Sequence, residues 1–219
     1  MTVVAIDGPV GSGKSTVARR VAERLGFLFL DTGAMYRAVG LLATEAGVAL
    51  DDEAAVVPIA AAARLRFDED GRLFAGDRDV SSLIRSLDMG AAASVVSALP
   101  GVRRLLVERQ RELGAGADIV MEGRDIGTNV FPGAEVKVFL TARPEVRAAR
   151  RTSELQAKGE DVDVDQVLAA LVERDRRDSE REVAPLRQAD DAVAVDTSGL
   201  SLDEVVDAVV AVVGERVPS

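Results

Sequence analysis

Val3-Val4-Ala5-Ile6 is an apolar run without alternation, the pattern of a strand buried on both faces. After a Gly-rich stretch, Ser15 to Leu25 carries apolar residues at Val17, Ala18, Val21, Ala22 and Leu25. That spacing predicts a helix with one buried stripe, stopped by Gly26. Phe27 to Leu30 reads as a second strand and Gly33 to Leu42 as a second helix. Strand, turn, helix, strand is the opening of an α/β fold.

The middle of the chain changes rhythm. Ala54 to Ala63 reads as a helix. Leu65–Phe67 and Arg72–Phe74 flank Asp68-Glu69-Asp70-Gly71, which predicts a β-hairpin with Gly in the turn. A local hairpin does not belong in a parallel sheet, so about 64–85 reads as part of a small inserted lobe. Helices are expected at about 87–98 and 101–113, with Pro100 at their junction. Strands then return at Ile119–Met121 and Val136–Leu140, followed by an Arg-rich helix over Pro144–Lys158 and another over Val162 to about Arg181. A last strand is expected at Ala192–Val195, and Ser201-Leu202-Asp203-Glu204 has the capping-box pattern that opens a C-terminal helix.

Composition narrows the chemistry. The 219 residues are 47% hydrophobic and 29% charged, the balance of a soluble globular domain. Lys plus Arg is 27 against 37 for Asp plus Glu, a net charge of −10, so a broad nucleic-acid-binding surface is not expected. Cysteine and histidine are both absent. Disulfides, thiolate nucleophiles, imidazole bases and His or Cys metal ligands are thereby excluded. Chemistry must run on carboxylates, Lys, Arg, hydroxyls, backbone amides and a borrowed metal. Met1 to Pro9 shows no basic region followed by an apolar stretch, and Val205–Val213 is too short for a membrane span and is broken by Asp207. A cytoplasmic enzyme that meets no membrane is the expectation. Only Lys14, Lys137 and Lys158 are lysines, so the place of Lys14 carries weight.

Gly8-Pro9-Val10-Gly11-Ser12-Gly13-Lys14-Ser15, followed by Thr16, matches G-x-x-x-x-G-K-S/T between a strand and a helix. Glycines let the backbone wrap phosphate oxygens, successive amides form an anion nest, and the helix adds its positive end. Lys14 would meet the β- and γ-phosphates of a nucleoside triphosphate, and Ser15 would offer its hydroxyl to Mg²⁺. No guanine-reading N-K-x-D run occurs. Ile119-Val120-Met121-Glu122 imitates the acidic strand end of a motor ATPase but runs directly into Gly123-Arg124-Asp125.

A second anion site is suggested by Asp31-Thr32-Gly33-Ala34-Met35-Tyr36-Arg37, at a strand end and the start of a helix. Glu122-Gly123-Arg124-Asp125 sits at another strand end. Arg174, Asp178 and Arg181 are spaced to share one helix face. The bland alternative for that face is a solvated, salt-bridged surface, since Asp175, Arg176, Arg177 and Glu180 surround it.

Asp7-Gly8-Pro9 with the phosphate loop, Asp31 to Arg37, Gly123-Arg124-Asp125-Ile126-Gly127-Thr128, Glu173-Arg174-Asp175 and Val183-Ala184-Pro185-Leu186 occur in order over nearly the whole chain. In this combination the chain resembles the bacterial cytidylate kinases, a family of P-loop nucleoside monophosphate kinases. The resemblance implies an α/β fold: a five-stranded parallel sheet flanked by helices, with a core of about 1–63 and 114–219. It also implies an inserted monophosphate-binding lobe of about 64–113 and a short lid of about 150–165. The implied reaction is transfer of a phosphoryl group from ATP to CMP or dCMP. Thr32, Arg37 and Arg124 would hold the CMP phosphate, with Arg181 reaching it. Tyr36 would line the nucleotide, and Asp178 with Arg174 would hold the ribose. Ser94, Arg103 and Asp125 would read cytosine, and Arg150 and Arg151 would meet ATP. Ser94 in an Ala-rich helix has packing as its alternative, and Arg150 and Arg151 have salt bridges to Glu145 and Glu154. Glu122 stands where the family commonly has Asp. Small-molecule substrates and a monomer are expected; kinases of other small acceptors, or an ATPase switch without an acceptor, are the competing readings.

Without His or Cys, no phospho-enzyme forms on those residues, and direct in-line transfer is the simplest route. The acceptor is an ionised phosphate oxygen and needs no strong base, so catalysis reduces to alignment and charge neutralisation by Lys14, Mg²⁺ and arginines.

Overall fold

In a computed structural model, the structure describes residues 1–68, 71–157 and 159–217. The strands β1 (Val3–Asp7), β2 (Leu28–Asp31), β6 (Ile119–Gly123), β7 (Val136–Thr141) and β8 (Val193–Asp196) form one five-stranded parallel sheet in the order β2-β6-β1-β7-β8. Central β1 pairs with β6 at Val3↔Ile119 and with β7 at Val4↔Val136. Every residue of β1 and of β6 is buried, as expected of strands covered on both faces.

Helix α1 (Lys14–Leu25) lays Val17, Ala18, Val21 and Ala22 against this sheet and ends on Gly26 at φ 70°, a left-handed cap that closes the last carbonyls. Helix α8 (Leu202–Arg216) adds Val205, Val206, Val209 and Val213 to the same core. Its capping box is present, with the Ser201 hydroxyl accepting from the Glu204 amide. Helices α6 (Pro144–Ala157) and α7 (Val164–Glu180) pack Ala148, Leu155, Val167 and Leu171 together.

The chain divides into two compact units, one of residues 1–29 with 116–219 and one of 30–115. The second unit contains α2 (Thr32–Glu45), α3 (Glu53–Ala62), α4 (Leu87–Val96) and α5 (Pro100–Gly114) around a core that includes Met35, Val39, Val56, Val96 and Val102. Pro100 is the first residue of α5, where its missing amide costs nothing.

The expected fold class stands, with two additions. The hairpin strands β3 (Leu65–Phe67) and β4 (Leu73–Ala75) are joined by a third antiparallel strand, β5 (Arg78–Asp79). Two polar residues carry no alternation, so β5 left no trace in the hydrophobic pattern. Glu69 and Asp70 of the expected turn, and Lys158 at the expected helix end, lie outside the described residues. A wide turn over Ile126–Val130 also went unread. Its first two amides are held not by a local cap but by Asp7, which is distant in sequence.

Candidate active site

The phosphate loop follows β1 directly. Gly8 adopts φ +149°, and a Cβ there would lie 2.0 Å from the Leu140 carbonyl oxygen, so only glycine fits. Helix α1 starts at Lys14 with Gly13 as its N-cap, without a side-chain cap and without an acidic residue in the first turn. The first-turn amides and the positive helix end are thus left for an anion. Ser15 and Thr16 are exposed on that turn. Lys14 is buried, and its ammonium donates to the Pro9 carbonyl at 2.6 Å and to Ser12 Oγ at 3.4 Å. Burial lowers its pKa to about 7, and the positive charges of Arg124 and Arg174 push the same way.

The turn after β6 delivers the next residues. Arg124 Nε donates to Asp178 Oδ2 at 3.0 Å. Burial works against the Arg124 charge, but Asp178 and Glu122 more than offset it. Burial likewise works against Asp178, yet Arg124, Arg174 and Arg181 hold its carboxyl below the usual range. Asp125 accepts from Arg181 Nη2 at 3.0 Å and from Asn129 Nδ2 at 3.0 Å. Arg181 also donates to the Ala184 carbonyl at 2.7 Å, tying the Val183–Leu186 stretch to the same cluster. Arg174, Asp178 and Arg181 therefore do not form a merely solvated face: Asp178 is buried and the Arg181 side chain is 6% exposed.

Arg150 and Arg151 part company. Arg150 donates to Thr197 Oγ1 at 2.9 Å and to the Thr197 carbonyl at 2.6 Å, and Thr197 Oγ1 donates to the Ser12 carbonyl of the phosphate loop at 3.4 Å. Arg151 pairs with Glu154 three residues on, at 2.8 Å.

In the second unit, Asp31 caps α2 by accepting from the Ala34 amide at 2.9 Å and holds Arg37 at 2.7 Å. Burial would raise the Asp31 pKa, but Arg37 and Arg85 together bring it below normal. Thr32 and Tyr36 are buried on the same helix. Arg103, 2% exposed, places its guanidinium 5.8 Å from the Tyr36 ring centre and donates to the Ser97 carbonyl at 3.3 Å. Ser94 is buried nearby, its carbonyl accepting from Ser97 Oγ at 3.0 Å. Sequence reasoning missed Asp7, Arg85, Arg147 and Asp175. Asp7 and Asp175 stood inside quoted motifs; Arg85 and Arg147 had no signal of their own.

Among the described residues, no three carboxylates gather into a metal cage. Mg²⁺ on a nucleotide keeps waters and phosphate oxygens and takes one or two protein oxygens. Ser15, exposed at the uncapped end of α1, fits that demand.

The family model for cytidylate kinase matches residues 4–215. A cytidylate kinase of Geobacter sp. (strain M21) is 47% identical over 98% of this chain and 93% of its own length. That of Geobacillus sp. (strain WCH70) is 48% identical over 98% of this chain and 97% of its own. Among solved structures, a shikimate kinase from Bacteroides thetaiotaomicron superposes with a TM-score of 0.52 at 14% identity, covering 98% of this chain and 97% of the other; this likeness concerns the fold.

Proposed function

The chain belongs to the cytidylate kinase family, and from that premise we propose that it transfers the γ-phosphoryl group of ATP to CMP or dCMP, giving ADP and the pyrimidine nucleoside diphosphate. The observation that carries the reading is that a phosphate-loop lysine sits in the field of two further arginines of the same unit: Arg124 and Arg174 both act on Lys14. Three cationic side chains beside one phosphate cradle, opposed by Glu122 and Asp7, suit two polyanions brought together.

On this reading Lys14 neutralises charge on the transferring group, and the loop Gly8–Thr16 cradles the β- and γ-phosphates. Arg150 acts from behind the loop through Thr197; Arg151 is assigned to the donor side on the family resemblance alone. Thr32, Arg37, Arg124 and Arg181 take the CMP phosphate, and Arg174 with Asp178 takes the ribose. Tyr36, Ser94, Arg103 and Asp125 take the base. Mg²⁺, held on the protein side by Ser15, would offset charge on the donor phosphates. The acceptor oxygen is already ionised, so the side chains align rather than deprotonate it, and in-line displacement needs no covalent intermediate. The lobe of about 64–113 is assigned to the acceptor and the segment of about 150–165 to a lid that excludes water. A cytoplasmic monomer, acting on small molecules and without nucleic-acid or membrane partners, belongs to the same proposal.

Base choice follows from hydrogen-bond chemistry. A carboxylate only accepts and a guanidinium only donates, so Asp125 suits cytosine N4–H and Arg103 suits cytosine N3; uracil reverses both. Asp125 accepts from Arg181 on one oxygen and from Asn129 on the other, the acceptor-only role that cytosine N4–H requires. A coupled assay of ADP release with CMP, dCMP, UMP, AMP and shikimate as acceptors tests the proposal. CMP should exceed UMP by roughly 10²–10⁴ in kcat/KM, and Asp125→Ala should shrink that ratio. Slow ADP release that ignores every acceptor would retire the kinase reading; an unchanged ratio in the variant would remove Asp125 from base reading.

A further inference from the structure

Glu173-Arg174-Asp175 brought Arg174 to the site, but nothing above uses Asp175. Asp175 Oδ1 accepts from the Val10 amide of the phosphate loop at 3.2 Å. Its other oxygen pairs with Arg147 of α6. Arg147 is buried; its Nη1 also donates to the Val10 carbonyl at 2.9 Å, and its Nε to the Ala142 carbonyl at 3.0 Å. The Val10 side chain packs against the small core of Ala148, Leu155, Val167 and Leu171. Both polar groups and the side chain of one loop residue are thus held by α6 and α7. The fit is close at the next residue too, where a Cβ on Gly11 would lie 3.1 Å from Arg147 Cβ.

The consequence lies in the peptide planes. A trans peptide points its carbonyl and its amide in opposite directions. With the Val10 carbonyl turned out onto Arg147, the Gly11 amide is turned the other way. The Ser12 carbonyl is held in the same manner by Thr197, itself bound by Arg150 of the same helix. Gly11 and Gly13 both have positive φ, at 75° and 89°, and glycine peptides rotate at little steric cost. A loop of such residues needs outside partners to keep its amides converged on one anion. A guanidinium on the carbonyl oxygen also polarises the peptide, making its amide a stronger donor.

We propose that Arg147 and Asp175 are positioning residues for the ATP phosphates, fixing the Val10–Gly11 peptide in its anion-binding orientation. The inference rests on the kinase reading for its ligand. The test measures KM for ATP and for CMP separately in Asp175→Ala, Asp175→Asn, Arg147→Met and the Asp175→Ala/Arg147→Met double variant, together with calorimetric binding of MgATP alone and the Tm of each. Loss of a charge-assisted hydrogen bond at the loop should weaken ATP by about tenfold in Asp175→Ala and Arg147→Met. KM for CMP should change much less, within about twofold, because the hydrogen bonds of Asp175 and Arg147 to the Val10 peptide groups lie in the donor loop. Asp175→Asn, which keeps an oxygen for the Val10 amide but loses the ion pair, should fall between. The double variant should be little worse than either single one, since the pair acts as a unit. ATP affinity unchanged beside a lowered Tm would show a mere brace and overturn the proposal, as would equal rises in both KM values or additive losses. If the wild-type chain binds MgATP but does not phosphorylate CMP, the kinase reading fails while the calorimetric comparison still decides the clamp.

Discussion

Lys14 shows how much one side chain is asked to do. Its ammonium is buried beside Arg124 and Arg174, which lowers its pKa to about 7, and its closest partner is a neutral carbonyl of its own loop, Pro9, at 2.6 Å. A phosphate replaces weak partners with a strong one. Lys14→Met should therefore leave the fold intact and remove turnover by roughly 10²–10³, the usual worth of one preorganised donor at a developing charge. Lys14→Arg should fail as well, because a planar fork does not replace a compact ammonium in a loop this tight. Turnover of both variants in the ADP-release assay, with Tm as the control for folding, checks this; near-wild-type rates in a folded variant would take Lys14 out of the mechanism.

At the scale of elements, α2 and α4 meet at a glycine. Gly40 lies inside α2, where glycine costs about 0.5–1 kcal/mol relative to alanine. The structure supplies the reason: a Cβ on Gly40 would lie 2.9 Å from Ala92 Cβ and 3.3 Å from the Ala92 carbonyl carbon. Gly40→Ala gains helix propensity but must push the helices apart, and overpacking of this kind costs about 1–3 kcal/mol. The expected outcome is a lower Tm, partly restored by adding Ala92→Gly; thermal unfolding of the two variants decides, and a raised Tm in Gly40→Ala would refute the close-approach account. The helices themselves were legible in the chain because their signals are local. The second helix was expected over Gly33–Leu42 and runs Thr32–Glu45; the last one opens where its capping box said. Motifs at strand ends likewise announced Lys14, Arg37 and Arg124. What stayed hidden depends on sheet order. Asp125 meets Arg181, Val10 meets Asp175, and Asp7 meets the amides of Ile126 and Gly127 across separations of 56, 165 and about 120 residues. No periodicity in a single sequence encodes such pairings. Asp175 in particular read as one more charge on a crowded helix face.

For the molecule as a whole, buried carboxylates set the response to acid, and they do not all act in one direction. Burial disfavours the charge of Asp31 and of Asp178, but neighbouring arginines hold both below the normal carboxylate range. Their contribution to stability is present above the unfolded value and is lost as pH falls through their lower folded values. Asp7 behaves oppositely. Burial raises its pKa to about 6; the Gly127 and Ile126 amides and the Lys14 charge resist this, while the Asp125 charge adds to it. Between its unfolded value of 3.8 and about 6, the folded chain holds a proton that the unfolded chain lacks. Its contribution is therefore fully present below 3.8 and is lost as pH rises through about 6. A shift of that size corresponds to at most about 3 kcal/mol. Asp7→Asn removes the titration while keeping the shape. It also sets an amide donor against the Gly127 or Ile126 amide, a penalty that does not vary with pH. Asp31 and Asp178 are common to both chains, so the comparison isolates Asp7 and the two charges that act on it, Asp125 and Lys14. The Tm advantage of wild type over Asp7→Asn should accordingly grow as pH is lowered from about 7 to about 4.5. Thermal unfolding across that range measures it directly. A difference that stays flat, or that narrows toward acid, would mean that Asp7 is held as an ordinary carboxylate by its two backbone amides and that its burial carries no pH-dependent cost.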